Sequence, residues 1–208
     1  MKLLLATRSA HKVAEIRRIF SDIDDVEVVD LTAAGIAPDP AEEDLEPFDT
    51  FLENAASKAR YFQGKSGLPT VADDSGLEVD ALDGAPGVRS KRFAPIPDEV
   101  DGLPRDQANN EYLLERLGDL PLPRRTARYV CVAVLDEGEG RTVSFRGEAP
   151  GLILARPRGK AGFGYDPLFF DEQLGKTFAE IERAEKNARS HRGKAFQALA
   201  RHLADRGR

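Results

Sequence analysis

The chain has 208 residues, 41% of them hydrophobic and 32% charged, with a formal net charge of -6. This composition excludes a disordered polypeptide and fits one globular domain, or one domain built as two lobes. No apolar run approaches the roughly 20 residues that a membrane-spanning helix needs, and the acidic balance argues against a nucleic-acid surface.

Lys2-Leu3-Leu4-Leu5-Ala6 reads as a first buried strand; Arg8, His11 and Lys12 follow too soon for a signal peptide. After a polar turn, Thr7 to Lys12, the spacing of Val13, Ile16 and Phe20, with Ile19 beside them, predicts a helix. Val26 to Leu31 reads as a second strand, and the acidic, proline-rich stretch 33–47 as a loop. A capping box, Thr50 with Glu53, opens a helix with an expected core face of Phe48, Phe51, Leu52, Ala55, Ala59 and Phe62, stopped by Gly64 and Gly67-Leu68-Pro69. Pro69 to Asp74 reads as a short strand ending in two carboxylates, and 75–103, rich in Gly and Pro, as largely irregular. Leu103 to Gly118 is a helix by pattern. Arg125 to Asp136 and Arg141 to Glu148 form a predicted hairpin, Gly151 to Ala155 a further strand, and Gly159 to Pro167 a glycine-rich loop. Ser190 is placed to cap a last helix with core face Phe196, Leu199 and Leu203. Strand–helix alternation followed by a hairpin points to an α/β fold with a mixed sheet. Cys131, inside the apolar run Tyr129 to Val134, reads as buried and inert, and one cysteine allows neither an internal disulfide nor a cysteine-based metal cluster. His11, His191 and His202 are far apart in sequence, so any metal is expected to be a hard cation held by carboxylates.

Four stretches carry residues suited to chemistry, and each also has a plain structural reading. Thr7 to Lys12 lies between strand and helix, where free N–H groups and the helix dipole attract phosphate; Thr7 and Ser9 add hydroxyls and Lys12 a charge. The alternative is an ordinary helix start with Ser9 as N-cap. Asp73-Asp74-Ser75-Gly76 suits Mg²⁺ binding or water activation, with Glu46, Glu53, Asn54 and Lys58 as candidate partners; otherwise it is an acidic turn with Gly76 at positive φ. Adjacent strand residues point to opposite faces, so only one of the two aspartates is expected to reach a metal. Gly162-Phe163-Gly164-Tyr165-Asp166-Pro167 offers a ring to stack on a base and a carboxylate to accept from base N–H groups, or is a turn of core aromatics. Ala184 to Arg192 is dense in donors, with Lys186 for phosphate and His191 and Arg192 for a carbonyl oxygen, or is a solvated basic helix end.

In order along the chain, Thr7…Lys12, Phe51-Leu52-Glu53-Asn54-Ala55…Lys58-Ala59-Arg60, Asp73-Asp74-Ser75-Gly76-Leu77, Gly84-Ala85-Pro86-Gly87-Val88-Arg89-Ser90, Phe163-Gly164-Tyr165-Asp166-Pro167 and Ser190-His191-Arg192 resemble the inosine triphosphate pyrophosphatase family, the housecleaning dITP/XTP pyrophosphatases. The match runs from about residue 3 to about residue 203. The resemblance implies hydrolysis of ITP, dITP and XTP to the monophosphate and pyrophosphate, dependence on Mg²⁺, and a homodimer; the composition adds the cytoplasm as the default compartment, with no nucleic-acid or membrane partner expected. It also implies an elongated mixed sheet flanked by helices, in two lobes with the active-site cleft between them. Carried over by position, Thr7, Arg8, Ser9, Ala10, His11 and Lys12, together with Lys58, would hold phosphates, His11 with no role of its own. Asp74 would be the general base or a metal ligand, Glu46 a second metal ligand, and Ser75 a substrate contact. Phe163, Gly164, Tyr165, Asp166, Lys186, His191 and Arg192 would frame the nucleotide. The family's first motif usually reads Thr-Gly-Asn; Arg8 and Ser9 depart from it here, and Ser9 keeps a hydroxyl but loses the amide reach. The alternatives are a Maf-like pyrophosphatase of other modified nucleotides, or a nucleotide-binding regulator without catalysis.

Overall fold

The computed structural model describes residues 1–21, 23, 26–182, 185 and 189–206. β1 (Lys2–Leu5) leads through α1 (Ala10–Phe20) to β2 (Glu27–Asp30), which pairs in parallel with β1, Leu3 opposite Val28 and Leu5 opposite Asp30. From β2 the chain passes through α2 (Phe51–Ser66) to β3 (Thr70–Val79), which pairs in parallel with β1 on its other side, Leu5 opposite Val71. Crossovers from β1 and β2 therefore leave toward opposite edges of β1. The segment beyond the carboxyl end of β1 lies at a switch point, where open α/β sheets gather ligand-binding groups.

The remaining described elements are α3 (Leu103–Leu117), β4 (Thr126–Asp136), β5 (Thr142–Ile153), β6 (Phe169–Asp171), β7 (Lys176–Thr177) and α4 (His191–Arg206). The seven strands form one sheet in the order β2-β1-β3-β4-β5-β6-β7. Because β5–β6 and β6–β7 are antiparallel, the sheet is mixed, as the sequence indicates. No helix among the described residues is long and apolar enough to cross a membrane.

The chain packs as two compact units. The first comprises Met1–Asp74, Cys131–Gly147 and His191–Arg208, and its core joins Leu3, Leu5 and Val71 to Ile16 and Phe20 of α1 and to Phe196, Leu199 and Leu203 of α4. The second comprises Ser75–Val130 and Glu148–Ser190 and is built around Leu77, Leu113, Leu117, Ile153 and the aromatic group Tyr129, Phe169 and Phe178. Within that group Phe169 and Phe178 meet edge to face with centroids 4.7 Å apart.

Five expectations change. Gly64 does not stop the second helix, which runs on to Ser66 and is capped by Gly67. Asp73 and Asp74 do not end a strand: β3 runs ten residues, and Gly76 is buried inside it rather than at a left-handed turn. Gly151 does not open a separate strand, because β5 continues through Pro150 to Ile153. Phe48 and Leu52 are 43% and 48% exposed; α2 buries Phe51, Asn54, Ala55, Ala59 and Phe62 instead. The stretch 33–47, read as a loop, contains a 3-10 turn at Pro40–Asp44.

Candidate active site

In the first unit, the sequence around β1, α1 and α2 folds so that several candidate groups converge on β3. Ser9 is the N-cap of α1, its Oγ accepting from the Lys12 N–H at 3.4 Å, and the Thr7 Oγ1 accepts from the Ser9 N–H at 3.2 Å. The plain reading of that stretch as a capped helix start is thus correct, and the cap faces the first-turn Lys12 toward the sheet. Lys12 Nζ reaches Asp73 Oδ2 at 2.8 Å. Ala10 and His11 in the same turn are exposed. Arg8, expected among the phosphate ligands, is committed elsewhere. Its Nε and Nη2 hold Glu42 at 3.0 and 2.6 Å, and its Nη1 and Nη2 donate to the carbonyls of Ile36 and Ala37 at 2.9 and 3.0 Å, so it fastens the acidic segment to the β1–α1 turn.

α2 supplies the second set. Thr50 caps it, its Oγ1 accepting from the Glu53 N–H at 3.2 Å, but the Glu53 carboxylate takes the Thr50 hydroxyl at 2.6 Å. One turn on, Asn54 is buried and its amide donates to Asp74 Oδ2 at 3.0 Å while bonding both the N–H and the carbonyl of Phe48, at 2.9 and 3.1 Å. Four residues further, on the same helix face, Lys58 Nζ donates to the Asp73 carbonyl at 2.5 Å and to Glu46.

The two aspartates have different surroundings. Asp73 is fully buried and meets Lys12, Arg192 Nε at 3.4 Å and the Cys131 thiol at 3.8 Å. Burial pushes its carboxyl up, but the charges of Lys12, Arg192 and Lys58 outweigh burial and hold it well below the usual carboxylate range. Asp74 is only half-buried. Burial raises its carboxyl, Lys58 opposes this, and the nearby Glu46 charge raises it further, leaving it above its ordinary value. Lys58 loses to burial and regains from Glu46, Asp73 and Asp74, so it stays an ammonium. Cys131 is buried, with its thiol raised far above the ordinary value by burial and then by Asp73, which makes it inert as a nucleophile.

Among the described residues no three His, Cys, Asp or Glu side chains converge as a ready-made metal cage. Glu46 and Asp74 are oxygen donors, and the Glu46 charge is near enough to act on Asp74. Two carboxylates, with the remaining positions left to water and phosphate, are the donor set that Mg²⁺ takes in phosphate enzymes. The residues present fit that ion.

α4 begins at His191 and Arg192, both buried. The sequence places Arg192 as a donor to a purine carbonyl; here its Nη1 holds Glu15 at 3.1 Å and its Nε holds Asp73, which ties α4 to α1 and β3. Lys186 lies outside the described residues. Glu15 escapes sequence reading, although its place three residues after Lys12 puts the two on one face of α1. Asn54 is among the candidate partners of the two aspartates, but nothing in the sequence pattern shows that it orients Asp74.

In the second unit, Ser75 continues β3 half-buried. The loop at 162–166 divides sharply in exposure. Phe163 is 56% exposed, as a stacking surface requires, whereas Tyr165 and Asp166 are buried. Tyr165 packs in the core and its hydroxyl donates to the Ser90 carbonyl at 2.8 Å, so its side chain supports the loop from beneath. Asp166, expected to accept from a base, takes the Phe163 N–H on Oδ2 at 2.9 Å and faces the Tyr129 hydroxyl at 3.5 Å. A Cβ on Gly162, where φ is +82°, would lie 2.1 Å from that same Oδ2, so glycine is required there.

Comparison with known proteins agrees with this arrangement. The model of the Ham1 family matches residues 3–202. The chain is 47% identical over 200 residues to a dITP/XTP pyrophosphatase of Frankia alni, covering 96% of each, and 44% identical to a dITP/XTP pyrophosphatase of Exiguobacterium sibiricum, covering 96% of this chain and 95% of the relative. Among solved structures, a HAM1 protein from Coxiella burnetii superposes with a TM-score of 0.85 at 35% identity, covering 99% of each chain. With its fold and nearly its whole length matched, the chain belongs to the Ham1 family.

Proposed function

We propose that this protein is a Mg²⁺-dependent pyrophosphatase that hydrolyses ITP, dITP and XTP to the nucleoside monophosphate and pyrophosphate. The observation that carries the reading is the gathering of Lys12, Lys58 and Asp74 around β3, in a family member whose relatives are named dITP/XTP pyrophosphatases. Asp74, oriented by Asn54, would position or deprotonate the attacking water. The N–H groups at the start of α1, with Thr7, Ser9, Lys12 and Lys58, would stabilise charge on the phosphates. Glu46 and Asp74 would hold Mg²⁺, which when bound neutralises phosphate oxygens. Phe163 would stack on the purine, and His191 would donate to its 6-carbonyl oxygen, an acceptor that adenine lacks. Arg192 serves this site by holding Asp73. The family resemblance supports a homodimer working on the cytoplasmic nucleotide pool.

Product analysis tests the chemistry. With ITP and Mg²⁺, IMP and pyrophosphate should appear in equal amounts, and EDTA should abolish turnover without changing the circular dichroism spectrum. Formation of IDP and orthophosphate, or full turnover in EDTA, contradicts the assignment.

A further inference from the structure

We propose that Asp106 and Asn110 are positioning residues that hold Phe163 in the orientation needed to stack on the purine. The inference rests on the reading of Phe163 as the base platform. The two residues are four apart on α3 and so share one helix face. From that face they grip Gly164 on both of its polar backbone atoms: the Gly164 N–H donates to Asp106 Oδ2 at 2.7 Å, and the Gly164 carbonyl accepts from Asn110 Nδ2 at 2.8 Å. Asn110 is itself fixed, since the same amide donates to the Asp106 carbonyl at 2.8 Å.

The peptide that carries the Gly164 N–H is the one joined to Phe163. Its carbonyl, that of Phe163, accepts from the Asp166 N–H at 3.3 Å, and in the peptide before the ring the Phe163 N–H donates to Asp166 Oδ2 at 2.9 Å. Both peptides flanking Phe163 are therefore pinned, while its ring stays exposed. A platform fixed before the ligand arrives loses less conformational freedom on binding, which lowers the dissociation constant without touching the chemical step. The clamp is a device of binding, and its loss should raise KM while leaving kcat in place.

The chain contains no tryptophan, so Phe163→Trp places a single indole, excited selectively beyond the tyrosine band, at the platform. IMP, which is not hydrolysed, serves as the probe. In Phe163→Trp, IMP should quench the indole. Adding Asp106→Ala, or Asn110→Asp, which sets a carboxylate against the Gly164 carbonyl, should lower the indole anisotropy of the free protein and weaken IMP binding roughly tenfold, as loss of a charge-assisted or repelled hydrogen bond would. Asp106→Asn keeps an acceptor for the Gly164 N–H and should stay within about twofold of the parent. This rescue separates the clamp from a general loss of folding. With Phe163 in place, Asp106→Ala should raise KM for ITP and change kcat by less than about twofold. If IMP quenches the indole but Asp106→Ala and Asn110→Asp bind it as the parent does, the clamp is refuted and the platform stands. If IMP gives no quenching and Phe163→Ala leaves KM unchanged, the platform reading fails, and the clamp with it.

Discussion

Asp73 and Asp74 are neighbours in the chain but face opposite electrostatic demands, and the two demands separate stability from catalysis. Asp73 is surrounded by Lys12, Arg192 and Lys58, which favour its charge. Asp73→Asn would leave these cations clustered around a neutral group, so it should lower the urea midpoint of unfolding, as should Arg192→Ala, at about 3 kcal/mol, the low end for breaking a buried ion pair because Lys12 still partners Asp73. Asp74 is the reverse case. Burial and Glu46 disfavour its charge, so Asp74→Asn should be at least as stable as the parent while losing roughly 100-fold or more in turnover, the lower end for removal of a general base. A folded Asp74→Asn protein with near-normal turnover would remove Asp74 from the mechanism.

At the scale of elements, the placement of α4 depends on a residue with no side chain. Gly147 in β5 packs under the first turns of α4, where a Cβ would lie 2.1 Å from the His191 carbonyl and 2.6 Å from the Ala195 N–H nitrogen, both backbone atoms that cannot swing aside. Gly147→Ala should therefore cost about 1–3 kcal/mol by overpacking and should also raise KM for ITP, because His191 and Arg192 are carried on the displaced turn; thermal melts and steady-state kinetics read the two effects. Nothing in the local sequence marks Gly147, since the close approach is between segments far apart in the chain. The helices were legible because their ends are written locally, in Ser9, Thr50 and Gly67. The length of β3 was not. Asp73-Asp74-Ser75-Gly76 has turn composition, and the cations from α1, α2 and α4 make a buried carboxylate tolerable inside that strand. β5 likewise runs on through Pro150 where two strands are expected; its pairing with β6 is at Leu152 and Ile153, so the missing proline N–H is not needed there. Periodicity placed Phe51, Ala55, Ala59 and Phe62 of α2 correctly, but it cannot show that Asn54, a polar residue, is drawn inward to serve Asp74 while Leu52 stays outside.

For the molecule as a whole, a chain of net charge -6 must bind a polyanion through local cations rather than through its overall field. Order in the sequence revealed the candidate residues, and folding gathers Lys12, Glu46, Lys58 and Asp74 from separate stretches of the chain. The same folding withdraws Arg8, Tyr165 and Asp166 into supporting roles that their positions in the motifs did not show. What the whole arrangement should achieve is discrimination among purine triphosphates by the group at position 6. The direct measurement is pyrophosphate release, with Mg²⁺, from ITP, dITP, XTP, ATP and a pyrimidine triphosphate at equal concentration. The account predicts that kcat/KM for ITP, dITP and XTP exceeds that for ATP by at least about 100-fold, the discrimination expected when buried donors are left unpaired. Equal rates across the panel, or a preference for the pyrimidine, would contradict it.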